Sequence, residues 1–78
     1  MKVSIRTVDE KIFSGTAIEV TLPGMFGKIG IRPHHATLSA VLSSGEILVN
    51  QTKGQKSFTL NAGIAHVNKN TVDILLSS

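Results

Sequence analysis

The chain has 78 residues, no cysteine and a formal net charge of +3 from eight basic and five acidic residues. This length favours one small domain, and the lack of cysteine excludes disulfide bonds and thiolate metal sites. The basic residues are dispersed, which favours a solvated surface with a weak preference for acidic partners. No apolar run approaches the roughly 20 residues that span a bilayer, so we expect no direct insertion into a membrane.

The N-terminal part of the chain has the pattern of short strands joined by turns. Val3 and Ile5 alternate with polar residues, which is typical of a strand with one buried face. A polar connection at residues 8–11 leads to a short apolar piece that residues 14–15 (Ser-Gly) are expected to close. Residues 18–22 then alternate clearly between apolar and polar side chains, which predicts the next strand.

A glycine- and proline-rich stretch follows and interrupts this strand pattern. Pro23 and Gly24 predict a turn, because proline presets φ and glycine accepts positive φ at the next position. Gly27 and Gly30 lie within an apolar run, where glycine marks a bulge, a bend or a close backbone approach. Pro33 ends the run because it cannot donate to a sheet ladder. We therefore expect these three glycines and Pro33 to shape the backbone here.

The C-terminal part continues the same alternation of strands and turns. Alternating residues 38–42 and the apolar residues 47–49 are separated by a Ser-Ser-Gly-Glu turn, and Lys53-Gly54 predicts a hairpin. Further strand patterns precede and follow a turn at residues 68–70, and no useful length of sequence has helical spacing. The fold class predicted is all-β: one domain over residues 1–78, a small antiparallel β sandwich or flattened barrel of about eight to ten short strands.

Catalytic and metal chemistry has little support in the residue pattern. The five acidic residues lie on predicted turns or outward strand positions, spread over the whole chain, so no paired carboxylates are expected. Three histidines (His34, His35 and His66) suggest a metal site, but neighbouring residues of an extended segment point to opposite faces, so at most one of the first two could join His66. We predict no catalytic residue, no metal and no cofactor.

Aromatic residues bear on a second possibility, a small β module for an acidic partner such as single-stranded nucleic acid. Such modules combine a basic groove with stacking aromatic side chains. This chain has no Trp or Tyr, and of its three phenylalanines we expect Phe13 and Phe58 in the core and Phe26 at a loop tip as a contact residue. We favour no nucleic-acid partner and keep the acidic-partner module as the alternative.

The order of elements and several motifs resemble one known family. The motifs are Leu22-Pro23-Gly24, the pattern Gly27-x-x-Gly30-Ile31-x-Pro33-x-His35-Ala36, the pair Ala62-Gly63-Ile64 and Val67, and the opening-hairpin residues Thr7-Val8-Asp9 and Phe13-Ser14-Gly15. Together they resemble the N-terminal β-sandwich domain of the epsilon subunit of proton-translocating rotary ATP synthases. The similarity covers essentially the whole chain.

This resemblance implies a non-catalytic rotor subunit of the central stalk, which links the gamma subunit to the membrane rotor ring of c subunits and couples proton flow to ATP synthesis. It implies a peripheral location on the cytoplasmic face of the bacterial inner membrane, or the organellar equivalent. The residues expected to contact the gamma subunit are Thr7, His35 and Ala40. The residues expected to contact the rotor ring are Phe26, Lys28 and Ile29.

The sequence also departs from the family pattern at three points. Many relatives carry an acidic residue where this chain has Lys28, and a glycine where it has His34. The family's C-terminal helical hairpin, which holds an inhibitory arm and in some members an ATP site, has no counterpart in residues 1–78. We therefore expect these residues neither to inhibit ATP hydrolysis nor to bind nucleotide.

Overall fold

The computed structural model describes residues 1–77, which form nine β-strands and no helix. The described residues accordingly include no helix that could cross a membrane. The strands are β1 (Lys2–Arg6), β2 (Lys11–Thr16), β3 (Glu19–Gly24), β4 (Gly27–Ile31), β5 (His35–Leu42), β6 (Gly45–Gln51), β7 (Gly54–Leu60), β8 (Gly63–Lys69) and β9 (Thr71–Leu76). The predicted all-β class is confirmed.

The strands form one curled sheet, consistent with a β sandwich, in the order β2-β1-β9-β8-β5-β3-β6-β7, and β4 pairs with β3 outside this path. The neighbouring strands are antiparallel with one exception, since β1 and β9 run parallel. A single short bridge between Gly24 and Leu42 joins β3 to β5. This bridge connects the half of the sheet that carries β3, β4, β6 and β7 to the half that carries the other five strands.

The core is the inner face of this curled sheet. Alternate side chains of the strands point inward, as the period-two pattern predicts, and no polar residue among residues 1–77 is buried. Each fully buried aliphatic side chain contributes roughly 1.5–3 kcal/mol of transfer free energy. The buried hydrophobic residues are Val3, Ile5, Ala17, Val20, Leu22, Ile31, Leu42, Ile47, Val49, Leu60, Ala65, Val67, Val72, Ile74 and Leu76.

Side chains close the gap between the two end strands, β2 and β7. The ring centroids of Phe13 and Phe58 lie 5.3 Å apart with the rings tilted by 49°. Both rings are half-buried and pack against the core, to which the sequence pattern assigned them. Lys56 Nζ lies 5.5 Å from the Phe13 centroid, and Gln51 Nε2 donates to the Thr16 carbonyl at 2.8 Å. Side chains, and not a strand pairing, therefore join β2 to β7 at this edge of the curled sheet.

Two of the predicted turns are wrong, because both lie inside strands. Gly15 belongs to β2 and pairs with Val3. Pro23 and Gly24 are the last residues of β3, and the turn lies one step later at residues 25–26. Proline is accommodated in β3 because only its carbonyl is used: it accepts a hydrogen bond from the Ser43 N–H at 2.8 Å.

Candidate partner-binding surface

The β3–β4 hairpin ends in an exposed turn, and two of its glycines fix its shape. Gly24 pairs with Gly27 at the base of the turn. A Cβ atom at Gly24 would lie 2.6 Å from the Gly27 carbonyl oxygen and 2.8 Å from Ile29 Cδ1, so the approach of the two strands excludes a side chain. Gly27 has φ of 136°, a region that side-chain-bearing residues rarely adopt.

The prediction that Gly30 shapes the backbone is wrong. Its φ is not positive, and a Cβ atom added to it would meet no atom within 4 Å. The reason is that Gly30 lies in the regular part of β4, paired with Thr21, where ordinary extended geometry suffices. Pro33 lies between the end of β4 and the start of β5, at the corner where the chain changes direction.

The tip of the hairpin consists of Met25 and Phe26. Phe26 is 99% exposed and Met25 is 58% exposed. The Met25 N–H donates to the Val41 carbonyl at 3.1 Å, which holds the tip beside the edge of β5. A groove of about 410 Å³ lies between the hairpin and β5, and it is lined by residues 24–29 and 39–41. Lys28 is the charged residue of this lining.

The structure brings the three predicted ring-contact residues together. Phe26, Lys28 and Ile29 all line the groove at the hairpin tip. Phe26 and Lys28 are exposed, whereas Ile29 is half-buried and packs against the core. Ala40, predicted to face the gamma subunit, lines the same groove.

The three residues predicted to contact the gamma subunit do not form one cluster. His35 begins β5 and pairs with Lys69, and Ala40 lies five residues further along, about 16 Å away in an extended strand. Ala40 pairs with the buried Ala65, so its side chain lies on the inner face of the sheet. Thr7 lies in the β1–β2 connection, where its Oγ1 accepts a hydrogen bond from the Glu10 N–H at 3.2 Å.

The three histidines each have a different hydrogen-bond partner. The His34 N–H donates to Asn70 Oδ1 at 3.0 Å, and the ring of His35 lies 2.8 Å from the Ala36 carbonyl through Nδ1. His66 lies on the outer face of β8 and its Nδ1 is 2.9 Å from Ser39 Oγ. Within residues 1–77 no group of three potential ligands could hold a metal ion.

A row of exposed apolar side chains on the outer face of the sheet was not predicted. Val41 of β5 pairs with Ile64 of β8, and Ile64 pairs with Leu75 of β9. Their exposed fractions are 54%, 55% and 37%. The sequence carries a signal for this row, because the runs at residues 40–42 and 74–76 are apolar at every position and must place one apolar side chain outward.

The fold and the surface define a small β-sandwich domain with an exposed apolar hairpin tip and an exposed apolar row on its outer face. Exposed apolar patches of this kind are typical of a binding subunit. The family profile of the ATP synthase delta/epsilon chain beta-sandwich domain matches residues 1–78. The chain therefore belongs to this family. The ATP synthase epsilon chain is a non-catalytic subunit of its complex.

Sequence comparison with individual relatives supports this assignment. The chain is 38% identical over 80 residues to the ATP synthase epsilon chain of Synechococcus sp. (strain WH7803), with 100% of this chain and 59% of that protein aligned. It is 37% identical to the epsilon chain of Wolinella succinogenes, over 96% of this chain and 58% of the relative. The chain thus spans about three fifths of the length of these relatives.

Solved structures show the same fold. A chain of the Euglena gracilis mitochondrial ATP synthase, in an OSCP/F1/c-ring structure, superposes with a TM-score of 0.89 at 24% identity, covering 97% of this chain and 49% of that one. A chain of the Tetrahymena thermophila mitochondrial ATP synthase central stalk and c ring gives a TM-score of 0.81 at 21% identity, covering 99% and 63%. At these identities the likeness concerns the fold.

Proposed function

We propose that the chain is a non-catalytic rotor subunit of the central stalk of a rotary ATP synthase. In this role it links the gamma subunit to the membrane rotor ring, so that proton flow through the ring is coupled to ATP synthesis. The observation that carries the proposal is the family match over residues 1–78. The sandwich acts as a rigid spacer because one cluster of buried side chains joins β1 to strands β3 through β9.

The ring-facing surface is the hairpin tip. Phe26 is the most exposed large apolar side chain of the described residues and lies in the turn between β3 and β4. Lys28 adds a positive charge beside it, and Ile29 anchors the hairpin by packing against the core. An exposed aromatic side chain beside a charge can insert between polar loops of a partner and hold its orientation.

The gamma-facing surface includes Thr7, His35 and the strand position of Ala40, although the Ala40 side chain itself packs against the core. Because these residues are spread over the sheet, the gamma subunit contacts the domain along an extended surface rather than at one point. The chain then lies peripherally on the cytoplasmic face of the bacterial inner membrane, or at the equivalent face of an organellar membrane. The hairpin faces the ring, and the gamma subunit is held further from the membrane.

Co-purification tests this proposal directly. The chain is co-expressed with the gamma subunit of the same organism, and the complex is then mixed with the detergent-solubilised c ring. We expect a stable complex with the gamma subunit, and retention of both subunits on the ring. If the gamma subunit is not captured, the proposal is wrong; binding of single-stranded nucleic acid in its place would support the alternative of an acidic-partner module.

A further inference from the structure

The formal net charge of the chain lies at one end of the sheet. We define this basic end as the starts of β1, β3, β5, β7 and β9, the ends of β2, β4, β6 and β8, and the connections between them. Four of the eight basic residues and one of the five acidic residues lie there: Lys2, Arg32, Lys53, Lys69 and Glu19. The four remaining basic residues are matched by four acidic residues elsewhere, so the basic end carries the whole formal charge of +3.

Hydrogen bonds join these strand ends into one surface. The Lys2 N–H donates to the Asn70 carbonyl at 2.7 Å, and the His34 N–H donates to Asn70 Oδ1 at 3.0 Å. Lys2 also pairs with Thr16 of β2, whose carbonyl accepts a hydrogen bond from Gln51 Nε2 of β6 at 2.8 Å. Strands from both halves of the sheet therefore end at the same surface, and the positive charges share it.

An open groove of about 610 Å³ crosses the basic end between the start of β3 and the β6–β7 hairpin. Its lining includes Arg32, the exposed Ile18 and the amide side chains of Gln51 and Gln55. A smaller depression of about 260 Å³ adjoins the groove, because Gln51 lines both, and Lys53 lines the smaller one. The two depressions thus form one surface with a positive charge in each and an amide side chain between them.

Glu19 holds the Arg32 guanidinium at the groove. Glu19 Oε2 accepts a hydrogen bond from Arg32 Nε at 3.1 Å, and Glu19 Oε1 accepts one from Asn50 Nδ2 at 3.3 Å. The Arg32 side chain is 79% exposed, and within residues 1–77 the Nε contact is its only hydrogen bond. The terminal nitrogens of Arg32 therefore remain available. A planar guanidinium in this state binds a carboxylate through two parallel hydrogen bonds.

We propose that this groove binds an acidic peptide segment of a partner protein, with carboxylates at Arg32 and Lys53 and an apolar side chain on Ile18. The Oε1 atoms of Gln51 and Gln55 have no donor within residues 1–77, so they can accept the backbone N–H groups of the peptide. Charge complementarity selects an acidic segment. No aromatic side chain of the described residues lines either depression, so the groove lacks the stacking surface with which proteins hold single-stranded nucleic acid.

The groove is separate from the hairpin tip. Phe26 and Lys28 lie at the opposite end of β3 and β4 from Ile18 and Arg32. Binding at the groove therefore adds to the proposed function and requires neither the rotor-ring contact nor the gamma contact.

Peptide binding to the full chain tests the proposal. The probe is a labelled peptide of glutamate residues with one central leucine, and fluorescence anisotropy at low salt measures its affinity for the unmodified chain. We expect saturable binding that weakens as salt is added. The same peptide with glutamine in place of every glutamate should bind at least about tenfold more weakly. Equal affinity for the two peptides would contradict the proposal.

Two matched pairs of variants locate the bound peptide. Arg32→Gln removes one positive charge at the groove, and Lys28→Gln removes one at the opposite end. We expect Arg32→Gln to weaken binding by about fivefold or more, and Lys28→Gln to change it less than about twofold. Ile18→Ser and Ile64→Ser replace side chains that are 57% and 55% exposed, and only Ile18→Ser should weaken binding, by about threefold or more.

NMR spectra of the unmodified chain provide a measurement that needs no variant to fold. On addition of the acidic peptide, the side-chain amide signals of Gln51 and Gln55 and the methyl signals of Ile18 should shift, and those of Ile64 should not.

Three results would overturn the proposal. The first is the absence of saturable binding of the acidic peptide. The second is an equal loss in Arg32→Gln and Lys28→Gln, which would show that charge acts from the whole surface. The third is tighter binding of a thymidine oligonucleotide of equal charge with the same NMR shifts, which would assign the groove to nucleic acid. None of these results bears on capture of the gamma subunit, so the proposed function is tested separately.

Discussion

Gly24 and Gly27 face each other across the base of the β3–β4 hairpin so closely that a Cβ atom on Gly24 would lie 2.6 Å from the carbonyl oxygen of Gly27. The two glycines act in different ways. At position 24 there is no space for a side chain. At position 27 the φ of 136° disfavours any residue that has one. The shape of the hairpin, and therefore the position of Phe26 at its tip, depends on both.

Gly24→Ala should reduce the free energy of unfolding by about 2 kcal/mol, because the carbonyl of Gly27 and the side chain of Ile29 must both move. Urea denaturation of the full chain measures this loss. Gly30→Ala in the next strand is the matched control, and its stability should be unchanged or higher by up to about 1 kcal/mol, because its φ is compatible with alanine and the space is open. Equal losses in both variants would contradict this account.

Gly27→Ala should cost about 1–2 kcal/mol through backbone strain alone, since an added Cβ atom meets no atom within 4 Å. The same urea measurement applies. Gly27→Val should cost more than Gly27→Ala, because a β-branched side chain tolerates positive φ least. A Gly27→Val chain as stable as the parent would show that the hairpin relaxes to an ordinary φ.

The strands and the core were predictable because alternation along a strand depends on local sequence alone. Val3 and Ile5 are buried in β1 as their spacing indicates. The position of the hairpin turn was not predictable in this way. Pro23 and Gly24 have the composition of a turn, but the Ser43 N–H gives the Pro23 carbonyl a partner and keeps both residues in β3.

The candidate surface was only partly predictable, because it depends on register between distant strands. The exposure of Phe26 follows from its place at a loop tip between glycines. Val41 pairs with Ile64, which is more than 20 positions away in the sequence, and Ile64 pairs with Leu75. A local sequence pattern does not reveal which residues of distant strands pair with each other. The sequence therefore predicts the exposed hairpin tip, whereas the exposed apolar row of Val41, Ile64 and Leu75 was found only in the structure.

Phe26→Ser should leave the stability of the fold unchanged, since a side chain that is 99% exposed contributes almost nothing to the core. On the proposed function it should weaken retention of the gamma-bound chain on the c ring by about tenfold. Thermal melting and pull-down on the detergent-solubilised ring measure the two effects. Ile18→Ser, at an exposed apolar residue away from the tip, is the control for ring retention, and loss of retention in both variants would contradict a ring contact at Phe26.

Phe13 and Phe58 should be energetically coupled, because their rings meet at 5.3 Å in the gap between β2 and β7. In a double-mutant cycle with Phe13→Leu and Phe58→Leu, we expect a coupling free energy of about 0.5–1.5 kcal/mol. Phe26→Leu provides the matched single substitution at an exposed site and should be neutral. If the losses in free energy of unfolding for Phe13→Leu and Phe58→Leu are additive, the two rings stabilise this edge of the sheet independently.

His34→Gly should stabilise the chain by about 0.5 kcal/mol. His34 has φ of 66°, a left-handed conformation that costs a residue with a side chain about 1–2 kcal/mol, while glycine's extra freedom in the unfolded state offsets part of the relief. The N–H of residue 34 still donates to Asn70 Oδ1 in the variant, so the corner keeps its hydrogen bond. His34→Val should be destabilised by about 1 kcal/mol or more, because a β-branched residue fits this φ poorly. Urea denaturation at constant pH compares the three chains, and the prediction fails if glycine and valine shift the midpoint in the same direction.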